Sequence, residues 1–291
     1  MAVFSEIRES LRYLFADIIG ERDGRIPHLP LGLPESVVPT ASDAIHLLIE
    51  YQGTAYAKLY VERLQRFVGK RGVDEAMLLG IARLMAMRMS YEDAIRIAQL
   101  KLLELEANPD TPRADDVRRL RLDKMVEALP ALVAEPVLDL LVWRGWVHKN
   151  VRIRFSTKNR FSIRRLKIEA SLKRWRRYSI RYSRERQWVE RWLHMLDRAL
   201  TRQPAAAAAM VETASMVRGY GDAYRHGLAD WQAIIDGLAK PTFDGVLALT
   251  DLAGAVAEAR AAALPDPRQA ALKRKIAEIR AGVPAAGAAA G

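Results

Sequence analysis

Residues 173–192 form the most distinctive stretch of the chain, Lys-Arg-Trp-Arg-Arg-Tyr-Ser-Ile-Arg-Tyr-Ser-Arg-Glu-Arg-Gln-Trp-Val-Glu-Arg-Trp. Through and just beyond this stretch, an apolar or aromatic side chain recurs every seventh residue, at Trp175, Tyr182, Val189 and Leu196. Seven residues make about two turns of an α-helix, so these side chains share one face. The intermediate turns of that face hold Tyr178, Ser179, Glu185 and Trp192. The spacing predicts an amphipathic helix with one aromatic face and a cationic remainder, inside a helical pattern from Phe161 to Leu200 that breaks near Ala170.

The same helical spacing covers most of the rest of the chain, and the predicted fold class is all-α, an irregular multi-helix bundle. Apart from an N-terminal helix over residues 4–18, we predict helices from the Ser42/Asp43 cap to Val68, then over Glu75–Arg88, Ala94–Leu105, Arg113–Leu129, Ala205–Arg218, Asp222–Leu238, Phe243–Ala262 and Arg268–Ile279. Asp74 is the expected N-cap of the second of these, and Ser90 with Asp93 forms an acidic variant of the capping box before the third. Only Val151–Phe155 alternates like a strand, which allows at most one short β-hairpin near residues 151–163.

Proline and glycine positions predict three parts of the chain. Residues 1–40 hold the N-terminal helix and a connector with four prolines, residues 41–262 form the main helical domain, and residues 263–291 form a C-terminal helix with an Ala/Gly tail. No apolar run reaches the roughly 18 residues of a membrane span, and the first apolar stretch is interrupted by charges. We therefore expect a cytoplasmic protein.

Charge is concentrated in one segment. The chain has 46 Lys+Arg and 35 Asp+Glu, a net charge of +11. Residues 144–191 hold 17 of those bases and only 3 of those acids, so this segment carries +14 and the remainder −3. So uneven a distribution predicts a basic surface for an anionic partner.

The residues predicted to bind that partner are Arg174, Arg176, Arg177, Arg181 and Arg184. An acidic protein surface, nucleic-acid phosphates and an anionic membrane would all suit them. A membrane is disfavoured because the Trp and Tyr face would stand exposed in the unbound protein. A more ordinary alternative is that the aromatic stripe faces the core and that some of the arginines pair with acids elsewhere in the chain.

The sequence offers no candidate catalytic residue or metal ligand. Cysteine is absent, which excludes thiolate clusters and cysteine nucleophiles within this chain. No two of the five histidines are three or four residues apart, and no Gly-rich phosphate-binding motif is present. Residues 218–227 contain a glycine cluster, and its favoured interpretation is a helix end at Gly219/Gly221 with Asp222 as the next N-cap. The alternative is that an anion is bound at the new helix N-terminus by Arg218, Tyr220, Arg225 and His226.

Four segments resemble motifs of a known family in the same order. Tyr-Gln-Gly-Thr-Ala-Tyr-Ala at 51–57, Met-Ser-Tyr-Glu-Asp-Ala-Ile-Arg-Ile-Ala-Gln-Leu-Lys at 89–101, Leu-Lys-Arg-Trp-Arg-Arg at 172–177 and Arg-Gly-Tyr-Gly-Asp at 218–222 are similar to the C-terminal helical region of the indolepyruvate oxidoreductase beta-subunit family. The residues that carry the resemblance are Tyr51, Gln52, Tyr56, Tyr91, Glu92, Asp93, Lys101, Trp175, Gly219, Gly221 and Asp222.

The resemblance implies a part in the thiamine-dependent oxidative decarboxylation of arylpyruvates to acyl-CoA, with electrons passed to ferredoxin. The family's N-terminal α/β domain has no counterpart in these 291 residues. The expectation is a non-catalytic accessory subunit that carries no cofactor, with thiamine diphosphate and iron–sulfur clusters in a large partner subunit. Its basic segment would dock that subunit or ferredoxin, and a nucleic-acid-binding protein is the alternative.

Overall fold

The computed structural model describes residues 26–108, 115–129, 131–219, 221–263, 266 and 268–283. The fold is all-α with one two-stranded ribbon, as the helical spacing predicts. Thirteen α-helices lie within these ranges: α1 Val38–Tyr51, α2 Thr54–Gln65, α3 Glu75–Met89, α4 Ala94–Ala107, α5 Leu122–Val126, α6 Ala131–Trp143, α7 Arg160–Ser171, α8 Ile180–Arg202, α9 Ala207–Glu212, α10 Gly221–Ile234, α11 Lys240–Phe243, α12 Leu252–Ala262 and α13 Ala270–Ala281. The two strands are β1 Asp115–Arg121 and β2 Asn150–Ser156. Short 3-10 turns cover Leu172–Tyr178, Pro204–Ala206 and Thr213–Met216, and a π-helical turn covers Ile235–Ala239.

Helix boundaries follow local capping chemistry where a side chain supplies it. Asp74 caps α3 as predicted, its carboxylate accepting the Met77 N–H at 2.7 Å. The cap of α4 is Asp93 rather than Ser90, because the Asp93 carboxylate accepts the Arg96 N–H at 2.7 Å. The long helix predicted from Ser42 to Val68 is two helices, since Gly53 takes φ +144 between α1 and α2.

The main body of the molecule is formed by α1–α3 and α8–α13 around one large apolar core. Trp192 and Trp231 are fully buried in it, and the Trp188 ring lies 5.0 Å from that of Trp231. The aromatic stripe of α8 therefore faces the core, which is the ordinary alternative for aromatics at helical spacing. The predicted break near Ala170 is confirmed as the 3-10 turn between α7 and α8, where Ser179 caps α8 by accepting the Tyr182 N–H.

Residues 94–178, here called the arm, extend from this body with two small cores of their own. The first core joins α4, β2 and α7 through Ile97, Ala98, Phe155 and Leu166, and the second joins α5 and α6 through Val126, Ala134 and Leu141. Both are much smaller than the core of the main body, which leaves many apolar side chains of the arm near solvent.

The strand predicted at Val151–Phe155 exists, but its pairing and its neighbour were predicted wrongly. Strand β2 pairs antiparallel with β1, from Asp115 opposite Ser156 to Arg121 opposite Asn150, rather than forming a local hairpin over residues 151–163. The helix predicted over Arg113–Leu129 is therefore wrong for residues 115–121, which complete the ladder.

The last third of the chain differs from prediction at two helices. The predicted Ala205–Arg218 is α-helical only over Ala207–Glu212, with a 3-10 turn on either side. The predicted Phe243–Ala262 is interrupted, since α11 ends at Phe243 and α12 begins at Leu252, capped by Asp251. No helix among the described residues is long and apolar enough to cross a membrane. The N-terminal helix predicted over residues 4–18 and the Ala/Gly tail from residue 284 lie outside the described residues.

Candidate functional site

Arg176 lies at the centre of a buried polar cluster. Its guanidinium donates to both carboxylate oxygens of Asp93, at 2.8 and 2.9 Å, and to the Tyr51 carbonyl at 2.6 Å. It also stacks over the Tyr51 ring, 3.8 Å from the ring centroid, and the residue is only 1% exposed. A planar guanidinium meets these demands at once because its donors form a fixed fork. The contact joins the turn before α8 to the end of α1 and the start of α4.

The end of α1 explains why cations gather here. The last carbonyls of a helix have no partner within the helix and attract donors and positive charge. The Glu50 carbonyl accepts from Lys173 at 3.2 Å and from Gln99 at 3.2 Å, and the Tyr51 carbonyl accepts from Arg176. Side chains that are distant in sequence thus cap this helix.

Both tyrosines of the 51–57 segment donate hydrogen bonds to backbone carbonyls at the end of α3 or just beyond it. Tyr51 donates its hydroxyl to the Tyr91 carbonyl at 2.9 Å, and Tyr56 donates to the Met89 carbonyl, the last of α3, at 2.9 Å. The Tyr51 ring centroid lies 6.0 Å from that of Tyr56 and 5.7 Å from that of Tyr91. Burial raises the pKa of all three hydroxyls above the usual value of 10.0, so they are neutral donors.

A second buried ion pair adjoins the first. Arg88 donates to Glu185 at 2.5 Å and to the Val217 carbonyl at 3.0 Å, and both charged side chains are at most 3% exposed. Arg181 approaches the same carboxylate, but its Nε lies 3.8 Å from Glu185 Oε1. Burial by itself lowers the pKa of Arg181, but the negative charges of Glu185 and then Asp93 raise it by more. The net change in the pKa is upward, so the guanidinium is charged. Two arginines therefore share the Glu185 carboxylate.

Next to this cluster a cleft of about 1290 Å³ separates the arm from α8 and α10. Its walls combine aromatic surface with arginines, including Trp175, Trp188, Trp231, Arg181, Arg184 and Arg225. The arrangement can hold an organic ligand, because a binding cleft typically joins apolar surface to a few convergent polar groups.

Several residues of the four resemblance motifs meet here. Tyr51, Tyr56, Tyr91 and Asp93 join the buried cluster, and Glu92, Asp93, Trp175 and Gly219 line the cleft. Gln52 is hydrogen bonded to Tyr182 beside them. Lys101 lies further along α4, where it pairs with Glu104 at 2.8 Å. The surroundings of Gly221 and the side chain of Asp222 are outside the described part of the chain.

The predicted partner-binding arginines do not form one surface. The prediction that Arg176 binds a partner is wrong, because this residue is buried and paired with Asp93. The Arg181 side chain is 13% exposed and lines the cleft. Arg177 is half-buried over the Tyr178 ring, and Arg184, 59% exposed, donates to Glu127 at 2.7 Å. The Arg174 side chain lies outside the described residues. Counting charges along the segment could not show that arginines spaced so closely point in different directions.

The four predicted anion-binding residues are only partly brought together. Arg225 lines the cleft, as do Gly219 and Ala223 on either side of the start of α10. Arg218 is exposed and donates to the Ser215 carbonyl of the preceding turn, and His226 is half-buried away from the described cleft lining. Tyr220 lies outside the described residues.

The structure shows an exposed basic surface on β2 and α7 that the charge count did not locate. Arg152, Arg154, Arg160, Arg164 and Lys167 are all exposed there, and none forms an ion pair with a described side chain. On α7, Phe161 is also 78% and Ile168 57% exposed. Alternation along β2 and the i, i+4, i+7 spacing along α7 are the signals in the sequence that could have found this surface. It is called the β2–α7 surface below.

The fold and site define an all-α protein with a buried arginine–carboxylate–tyrosine cluster beside an aromatic cleft. No group of three or more His, Asp or Glu side chains within the described ranges could hold a metal ion.

Residues 37–237 match a family of unknown function, DUF6537, and the chain belongs to that family. The matched region contains the buried cluster and all four resemblance motifs. No curated protein and no solved structure matches the chain.

Proposed function

We propose that this protein is a non-catalytic helical accessory subunit of an indolepyruvate-type 2-oxoacid:ferredoxin oxidoreductase. One observation carries the proposal: segments around residues 51, 93, 176 and 219, which resemble one family in sequence order, meet around one cluster and its cleft. Their meeting at one place supports the interpretation of the four motifs as parts of a single site.

In this proposal the chemistry belongs to the partner. Thiamine diphosphate and the iron–sulfur clusters reside in a large partner subunit, and this chain supplies no cofactor. The buried cluster holds the arm against the body, because Arg176 links the 3-10 turn at the end of the arm to Tyr51 at the end of α1 and to Asp93 just before the arm begins. We place the complex in the cytoplasm.

The β2–α7 surface replaces the predicted arginine patch as the proposed docking site. Unpaired cations attract an acidic surface from a distance and raise the association rate, and exposed Phe161 and Ile168 add apolar area on contact. The partner is an acidic face of the large subunit or ferredoxin.

The first test is capture of the tagged chain from its own cells at low salt. We expect a complex with a large brown subunit that absorbs in the iron–sulfur region and that reduces ferredoxin when an arylpyruvate and coenzyme A are both supplied. A captured complex without this activity, or a chain recovered alone, contradicts the proposed function.

The second test locates the docking surface by charge reversal. Arg164→Glu with Lys167→Glu should weaken assembly by at least about tenfold at low salt, with a smaller effect as salt screens the contact. The matched control is Arg83→Glu with Arg274→Glu, which changes the charge equally at exposed positions elsewhere. Equal losses in both variants would exclude this surface as the docking site.

The same surface gives the nucleic-acid alternative a specific basis, since the five exposed cations of β2 and α7 would also suit phosphates. The exposed Phe161 and Ile168 favour a protein partner over a phosphate backbone. A gel shift at low salt with duplex and single-stranded DNA separates the two, and a steeply salt-dependent shift abolished by Arg164→Glu would favour nucleic acid.

A further inference from the structure

The buried cluster beside the cleft carries more positive than negative charge. Arg88, Arg176 and Arg181 contribute three positive charges, against two negative charges from Asp93 and Glu185. All five side chains are at most 13% exposed. An unbalanced charge in such an environment is costly, and an anion bound next to it would offset that cost.

Arg181 is the member of the cluster left without close partners. Glu185 accepts from Arg88 at 2.5 Å but stands 3.8 Å from the Arg181 Nε, and the Arg181 side chain forms no hydrogen bond with any described residue. The side chain packs over the rings of Tyr91 and Tyr224, and the residue lines the cleft. Its guanidinium donors are therefore available to a ligand there.

A second donor on the same wall is also unused. Trp188 is 6% exposed and lines the cleft, and its indole N–H has no acceptor within the described part of the chain. Buried indole N–H groups usually have a partner. This nitrogen is covered by protein atoms, so it adds an unsatisfied donor beside the cleft without opening into it.

The start of α10 adds the backbone N–H groups of a first helical turn, although that turn also contains the acidic residue Asp222. Gly219 and Ala223 flank the first turn of this 14-residue helix, and both line the cleft. The backbone N–H groups of a first helical turn bind anions and carry the positive end of the helix dipole.

The four acids on the cleft walls do not cancel this attraction. Asp93 is held by Arg176, Glu127 by Arg184 at 2.7 Å, and Glu169 by Arg165 at 2.7 Å. Glu92 also has a partner. Three of these acids are thus each paired with a base, whereas Arg181 shares its acid with Arg88.

The rest of the lining indicates what the anion is attached to. Trp175 is half-buried and lines the cleft from the arm, whereas Trp188 and Trp231, which also line it, are at most 6% exposed. A partly exposed indole ring can hold a planar ring by stacking, and the volume of about 1290 Å³ exceeds the range of about 300–1000 Å³ usual for small ligands. We propose that the cleft binds an organic anion in which a planar aromatic ring is joined to a carboxylate or phosphate.

Calorimetric titration of the full chain, without any partner, tests this site separately from the proposed function. The probes are AMP, 3-phenylpropionate and inorganic phosphate. We expect saturable binding of at least one ring-bearing anion, at least about tenfold tighter than binding of phosphate. AMP binding alone would indicate a nucleotide-like ligand, and phenylpropionate binding alone an aromatic carboxylate. Failure of both to saturate, or equal binding of phosphate, would overturn the proposal.

Two variant pairs show whether the bound anion lies where the structure places it. Ala223→Glu adds a carboxylate to the first turn of α10, where it stabilises the helix but repels an anion, and Ala223→Gln is its neutral control. Arg181→Gln removes the guanidinium that shares Glu185 with Arg88, and Arg186→Gln is its exposed control on the same helix. Affinity should fall at least about tenfold in the first member of each pair only. Equal affinities of Ala223→Glu and Ala223→Gln would refute the site even if Arg181→Gln failed to fold.

Discussion

The Arg176–Asp93 pair should contribute more to stability than any surface ion pair of the chain. Asp93→Asn removes the carboxylate charge but keeps an oxygen that can still accept the Arg96 N–H, so the cap of α4 survives. Arg176, 1% exposed, is then a buried cation facing a neutral amide. Removing one partner of a buried pair costs about 3–5 kcal/mol, and we expect a loss of that size.

The double variant Asp93→Asn with Arg176→Met separates charge from packing. Its remaining losses are the hydrogen bond to the Tyr51 carbonyl and the stacking on the Tyr51 ring, about 1–2 kcal/mol together. The double variant should therefore be more stable than Asp93→Asn alone, although it lacks more of the native contacts.

Urea unfolding followed by circular dichroism measures both variants. With a denaturant slope of about 3 kcal/mol/M, Asp93→Asn should lower the midpoint by about 1 M or more. Asp93→Ala, which also removes the cap, should cost about 1 kcal/mol more. A loss below about 1 kcal/mol in Asp93→Asn, or a double variant less stable than that single variant, would refute the argument from unbalanced buried charge.

Two further predictions concern the tyrosines and one glycine. Burial raises the pKa of six tyrosines, Tyr51, Tyr56, Tyr60, Tyr91, Tyr182 and Tyr224. Their contribution to stability is complete below the unfolded pKa near 10 and is lost as pH rises above it, so phenolate absorbance at 295 nm should appear together with loss of the helical signal. Gly227→Ala should cost about 1–3 kcal/mol in thermal unfolding, because a Cβ there would stand 2.1 Å from the Met216 carbonyl oxygen.

Each of these predictions has its own control. Phenolate formation near pH 10 in a chain that keeps its helical signal would show that the hydroxyls are not held by the fold. Gly282→Ala, whose added Cβ would meet its nearest neighbour at 3.6 Å, should change stability by no more than about 0.5 kcal/mol. A Gly227→Ala variant as stable as Gly282→Ala would contradict the close approach of α10 to Met216.

Helix content and most helix positions could be predicted because they depend on neighbours in sequence. The Asp74 carboxylate caps α3 by accepting the N–H of Met77, only three residues further along the chain. The Trp175 to Leu196 spacing is likewise a local pattern. The order of helices and the break between α7 and α8 followed from the same local signals. Prediction from local signals failed where a segment pairs with a distant one. The charged side chains of residues 115–121 are compatible with a helix, but their backbone pairs with β2.

The functional surfaces depended on contacts that sequence spacing does not specify. The 17 bases of residues 144–191 are visible in the sequence, but only the folded chain shows that Arg176 meets Asp93, 83 positions away, while Arg164 and Lys167 face solvent. The four motifs could be recognised separately, yet only the folded chain brings them to one buried cluster and the cleft beside it. Helical periodicity determines which face of a helix a residue occupies, and packing between helices decides what that face meets. The sequence by itself therefore determined an all-α chain with one strongly basic segment, and only the tertiary structure decided which arginines are buried, which face the cleft and which face solvent.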